Sequence, residues 1–174
     1  IPMFRRAHRG NRGAAEPLYG LGSSLMAVGQ YADAIAVLQK ATKEDNTHIE
    51  ARKALGQALL IQGDFAGAVH AMRSAVNLDG GRAQTLAALG VALDAYGDHD
   101  QALYNLRSAV DADPDNLDIA SNLGLSLALH GEANDAVTLM EDVVRNERST
   151  AKHRQNLAIA YAMAGDVERA IYMS

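Results

Sequence analysis

The chain has 174 residues, a net charge of −5, 48% apolar but only 5% aromatic residues, and no cysteine, which excludes disulfides, thiolate metal sites and thiol catalysis. Residues 1–14 hold Arg5, Arg6, Arg9 and Arg12 and no acid, so the rest carries 12 basic and 21 acidic residues, a net −9 that makes nucleic acid a poor partner. No apolar run reaches the ~18 residues needed to span a membrane.

Taken in chain order, residues 1–14 are punctuated by Pro2, Gly10 and Gly13 and predict at most one short helix. The stretch reads as a solvated basic leader or the remnant of a preceding helix. From residue 15 a single pattern recurs every 34 residues. One marker is Leu21-Gly22, Leu55-Gly56, Leu89-Gly90, Leu123-Gly124 and Leu157-Ala158. A second is Gly29, Gly63, Gly97, Gly131 and Gly165, and a third is Ala34, Ala68, Ala102, Ala136 and Ala170. The frames are 15–48, 49–82, 83–116, 117–150 and a truncated 151–174. Each predicts two short amphipathic helices joined by a glycine turn. The fifth stops inside its second helix, so the sequence is expected to be a fragment of a longer chain. Its Ala170, Ile171 and Met173 form an apolar face expected to meet another helix or a second copy.

Each marker has a physical role. Leu86, Leu89 and Leu93 on the first helix, and Leu106 and Ala109 on the second, make apolar stripes at helical spacing. Small residues at Gly90 and Ala102 let the two helices approach. Gly97 falls where the chain must turn in a left-handed conformation, which costs glycine little. Asp64, Asp98 and Asp166 follow their glycines and are predicted helix N-caps. Pro114 suits a repeat end, because proline cannot continue a helix. The bulky position after the turn runs Tyr31, Phe65, His99, Ala133, Val167, which predicts lighter packing in repeats 4 and 5.

Catalytic and metal motifs are weak. Asp111, Asp113 and Asp115 alternate like the opening of a calcium loop, but Asn116 and Asn122 stand where glycine and a bidentate glutamate are required. No two of His8, His48, His70, His99, His130 and His153 stand four apart on one predicted helix, so no metal site is expected. Gly20-x-Gly22 lies within a helix and lacks a third glycine, so no nucleotide cofactor is expected. No G-x-S-x-G occurs, and catalysis would require a domain outside this chain.

The period and markers resemble the tetratricopeptide repeat family over about 160 residues. The resemblance implies an all-α, right-handed superhelical solenoid that binds protein or peptide partners without catalysis, using the first helices to line a concave groove. At the family's groove positions stand Lys53 and Gln57 in the N-terminal part. The C-terminal part holds Val91, Asp94, Asn122, Leu125, Leu129, Asn156, Ile159 and Met163. Val91, Leu125 and Ile159 share one repeat position and form an aliphatic stripe expected to take a peptide or helix, with Asn122 and Asn156 holding its backbone. The lysine–asparagine clamp of some members is not matched, since Ala88 stands where asparagine is needed. Three segments, Leu89–Leu103, Asn122–Val137 and Arg154–Ala170, resemble more narrowly the tetratricopeptide lipoproteins of bacterial tight-adherence (Flp) pilus assembly. That implies a periplasmic, outer-membrane-attached factor serving a secretin or pilus component. The alternatives are a scaffold of another bacterial complex that self-assembles through its C-terminal face, or the substrate-recruiting arm of a larger enzyme; the alternative compartment is the cytoplasm.

Overall fold

The computed structural model describes residues 12–173; most of the basic leader, including Arg5, Arg6 and Arg9, lies outside the described residues. Among these residues the structure is all helical, with ten helices and no strand. They fall into two compact units, Ile1–Gly81 and Arg82–Ser174.

The first unit holds α1 (Arg12–Ala27), α2 (Tyr31–Glu44), α3 (Ile49–Gln62) and α4 (Phe65–Asp79). The second holds α5 (Ala83–Tyr96), α6 (His99–Ala112), α7 (Leu117–Leu129), α8 (Ala133–Arg145), α9 (Ala151–Met163) and α10 (Val167–Met173). Within each unit every helix packs on the next. First helices of adjacent repeats also touch: α1 on α3, α5 on α7, and α7 on α9. Each unit therefore buries its hairpins' apolar faces against their neighbours, which a lone pair of short helices could not do.

The close approach expected at the small-residue marker is present. A Cβ placed on Gly90 would stand 2.6 Å from Leu106 Cγ and 3.2 Å from the Ala102 carbonyl oxygen. The same relation recurs at Gly22 against Leu38, Gly56 against Met72 and Gly124 against Met140. In these four repeats the second helix thus drives one long side chain into the space left by a glycine on the first. Leu38, Met72, Leu106 and Met140 are fully buried as a result. The turn glycine Gly97 has φ 95°, and its N–H bonds the carbonyls of Leu93 and Asp94, closing α5. Asp64, Asp98 and Asp166 cap as expected, accepting from the backbone N–H of Gly67, Gln101 and Arg169.

Packing bulk is distributed differently from the sequence expectation. The position after the turn is largely solvated: Phe65 is 40% and Val167 59% exposed, and His99 is exposed too. Small residues there in repeats 4 and 5 cost the core little. The second unit draws its bulk instead from Ile119, Leu123, Leu127, Met140, Leu157 and Tyr161. Tyr161 lies against α8 and α10: its hydroxyl donates to Glu141 Oε1 at 2.7 Å, and the Arg169 guanidinium stands 5.5 Å above its ring. Burial, reinforced by the neighbouring Glu141 carboxylate, raises the Tyr161 phenol above its ordinary value. The alternating Asp111, Asp113 and Asp115 form an ordinary helix exit, in which Asp113 accepts from Asn116 Nδ2 and Asn116 caps α7.

Candidate functional site

Two clefts lie on the first-helix side, one in each unit. In the first unit, α1 and α3 flank a cleft of about 450 Å³ lined by Tyr19, Ser23, Met26, Glu50, Lys53 and Gln57. Lys53 and Gln57 stand where the groove positions put them, but the Lys53 ammonium already binds Glu50 at 3.1 Å. The lining is mixed, and this cation is neutralised locally.

In the second unit, α5 and α7 flank a cleft of about 510 Å³ that is mainly apolar. Val91, Ala95, Leu125 and Leu129 form its apolar wall, with Asp94, Asn122 and Ser126 as polar neighbours. Val91 is 38% and Leu129 52% exposed, well above core residues of the same unit. Helical spacing explains the assembly. Asn122, Leu125, Ser126 and Leu129 lie three to four residues apart on α7, while Val91, Asp94 and Ala95 do the same on α5, so one face of each helix meets the cleft.

The other C-terminal groove residues are placed elsewhere. Ile159 and Asn156 line a separate depression with Ala162, Val167 and Ile171, on α9 and α10. Asn156 is buried and donates from Nδ2 to the Ser121 hydroxyl at 3.0 Å, so its amide is used in packing α9 on α7. Met163 is 46% exposed and lines neither depression. The structure therefore gathers Val91, Asp94, Asn122, Leu125 and Leu129, and separates Asn156, Ile159 and Met163 from them.

Three polar residues of the α5–α7 cleft are absent from the groove positions: His99, Ser126 and His130. Ser126 is 2% exposed, and its hydroxyl has no hydrogen-bond partner among the described residues. A buried hydroxyl left unpaired costs free energy, on the order of 1–3 kcal/mol. His99 and His130 both reach Asp94. His130 Nε2 is 2.7 Å and His99 Nδ1 3.3 Å from the same Asp94 Oδ1, and the two rings lie tilted by 35° with centroids 3.6 Å apart. His130 follows α7 as its C-cap and His99 opens α6, so residues distant in sequence converge around α5's last turn.

Comparison with known proteins agrees with this architecture. Tetratricopeptide repeat profiles match residues 19–84 and residues 93–155. No curated protein matches the sequence. Among solved structures, the thermophilic tetratricopeptide protein TTC0263 of Thermus thermophilus is 25% identical with a TM-score of 0.81, over 92% of this chain and 88% of that one. YrrB, a tetratricopeptide protein with an unusual peptide-binding site, is 22% identical with a TM-score of 0.66, over 98% and 88%. PilF of Pseudomonas aeruginosa is 21% identical with a TM-score of 0.75, over 92% and 73%. The last two likenesses concern the fold. With two family profiles spanning most of the sequence and the helical hairpins in place, the chain belongs to the tetratricopeptide repeat family.

Proposed function

We propose that this chain is a non-catalytic scaffold that captures a peptide or helix of an assembly partner in the α5–α7 cleft. Tetratricopeptide proteins are in general protein-interaction scaffolds. The observation that carries the proposal is the composition of this cleft: Val91 and Leu129 are exposed and Leu125 is half-buried, beside Asp94 and Asn122. Covering aliphatic surface is favourable by roughly 25 cal/mol per Å². Asn122 would fix the position of a bound backbone, since its amide supplies both donors and an acceptor.

The finer assignment is a bacterial tight-adherence (Flp) pilus or secretion machine, with a secretin or pilus component as partner and the periplasm as compartment. It is supported by the resemblance of Leu89–Leu103, Asn122–Val137 and Arg154–Ala170 to that system's tetratricopeptide lipoproteins. The test is capture from envelope extract, with the wild-type chain beside a Val91→Asp, Leu125→Asp double variant. Recovery of a secretin or pilus subunit by wild type alone is the expected result. Equal recovery by both removes the cleft, and recovery of cytosolic proteins alone removes the pilus assignment.

A second reading, self-association, is favoured by one observation. Ile159, Val167 and Ile171 line the α9–α10 depression of about 690 Å³, and Ile171 is 71% and Tyr172 90% exposed. Sedimentation across a concentration series tests it: a dimer abolished by Ile171→Asp supports this face, and a monomer throughout removes it.

A further inference from the structure

Three histidine–carboxylate pairs join first helices of adjacent repeats: His48 with Glu16, His130 with Asp94, and His153 with Asp118. Two of them are structural by their remaining bonds. His48 Nδ1 accepts from the Ala51 N–H as the α3 cap, and His153 Nδ1 accepts from the Thr150 N–H at the start of α9. The third pair differs. Its carboxylate receives a second imidazole, His99, on the same oxygen.

We propose that Asp94, His99 and His130 form a binding site for a divalent transition ion of the zinc class on the wall of the α5–α7 cleft. One donor atom from each residue lies within 4.8 Å of the other two. Two imidazoles and one carboxylate are the donor set that first-row ions such as Zn²⁺ prefer, and hard alkaline-earth ions do not. With bonds of about 2.0–2.1 Å, donors around a tetrahedral ion stand roughly 3.3–3.4 Å apart. His99 Nδ1 already meets Asp94 at 3.3 Å. His130 Nε2, at 2.7 Å, is at hydrogen-bond length. It needs to open by about 0.6 Å as the ion replaces the shared proton. The two rings, tilted by 35° with centroids 3.6 Å apart, both reach the same carboxylate oxygen; they must swing apart to roughly 5 Å between centroids for both nitrogens to bind one tetrahedral ion.

The surroundings suit a site that is held yet reachable. The Asp94 and His130 side chains are 16% and 15% exposed, while His99 is 48% exposed and opens the site to solvent. Asp94 sits in the last turn of α5, fixed by the Gly97 closure, and His130 is held by backbone bonds to Ser126, Leu127 and Ala128 at the end of α7. Three protein ligands leave at least one coordination position open. All three residues line the cleft, so that position is available to water or to a donor on whatever occupies it.

The ion does not depend on the peptide reading, and its test uses no partner. Zn²⁺ titration is followed by calorimetry, and Co²⁺ titration by visible absorption, on the whole chain and on His99→Ala, His130→Ala, Asp94→Asn and His70→Ala. The expected result is one saturable ion per chain, with affinity falling more than tenfold in the first three variants and unchanged in His70→Ala, which alters an exposed histidine elsewhere. Zn²⁺ should raise the melting temperature of wild type and not of Asp94→Asn, which keeps the side-chain shape. Leu125→Asp should retain the ion, so loss of the peptide function and loss of the ion site are read separately. Absence of saturable binding in the wild type, or full binding by a His99→Ala, His130→Ala double variant, overturns the proposal.

Discussion

At the scale of single residues, glycines with the same lack of a side chain have opposite consequences. At Gly90 a Cβ would meet Leu106 at 2.6 Å and the Ala102 carbonyl at 3.2 Å, and the carbonyl belongs to rigid helix. Gly90→Ala is predicted to destabilise the fold by about 1–3 kcal/mol in urea denaturation. At Gly20, also helical, a Cβ would meet nothing within 4 Å. Gly20→Ala is predicted to stabilise by about 0.5–1 kcal/mol, because only the entropic cost of glycine is removed. Similar losses at both positions would contradict the close-approach account. The difference was legible in the 34-residue register, which contains Gly22, Gly56, Gly90 and Gly124 and omits Gly20. The clustered histidines were not legible in this way. A search for ligands four apart on one helix passes over Asp94, His99 and His130, which lie on either side of a turn and in the next repeat. Pairing residues across adjacent repeats near the turn is the signal that finds them.

At the scale of elements, α8, α9 and α10 are tied at Glu141, which meets the Tyr161 hydroxyl and, at 3.7 Å, the Arg169 guanidinium. The Tyr161 hydroxyl donates to Glu141, while Arg169 covers the ring. Tyr161→Phe keeps the ring and loses the bond, and is predicted to cost about 1 kcal/mol. The phenol's folded value is raised above the 10.0 it has when unfolded, by burial first and then by the bond to Glu141. Its contribution is therefore fully present below pH 10.0 and lost as pH rises through the higher folded value. Denaturation of wild type should lose stability in that alkaline window, and Tyr161→Phe should lose less; identical profiles would contradict the assignment. At the helix starts, Asp64→Ala removes the acceptor for the Gly67 N–H and is predicted to cost about 1 kcal/mol. Caps and turn glycines were readable because each depends on local sequence. The aliphatic stripe was only partly readable. Val91, Leu125 and Ile159 share a repeat position, yet Val91 and Leu125 share one cleft while Ile159 lies beside Val167 and Ile171 of α10. Likewise Asn122 faces the α5–α7 cleft, while Asn156, one period later, is buried against Ser121. A repeat position specifies a place on a helix, and the neighbouring helix decides whether that place is open.

At the scale of the whole molecule, the chain is a set of similar hairpins whose differences carry the specificity. The first unit offers a mixed cleft whose lysine is already paired, and the second an apolar cleft with an unpaired hydroxyl and a histidine–aspartate cluster. Family membership follows from the repeated features, and the proposed activity from the features that are not repeated. No helix among the described residues is long and apolar enough to cross a membrane. The central claim is that recognition of a partner resides in the α5–α7 cleft. It is tested most directly by isothermal titration of the captured partner segment against wild type and the single variants Leu125→Asp and Ile159→Asp. The account predicts that Leu125→Asp weakens binding about 30-fold or more, as loss of ~2 kcal/mol at a central anchor requires, with Ile159→Asp within about threefold of wild type. Unchanged binding by a folded Leu125→Asp, or a larger loss in Ile159→Asp, would contradict it.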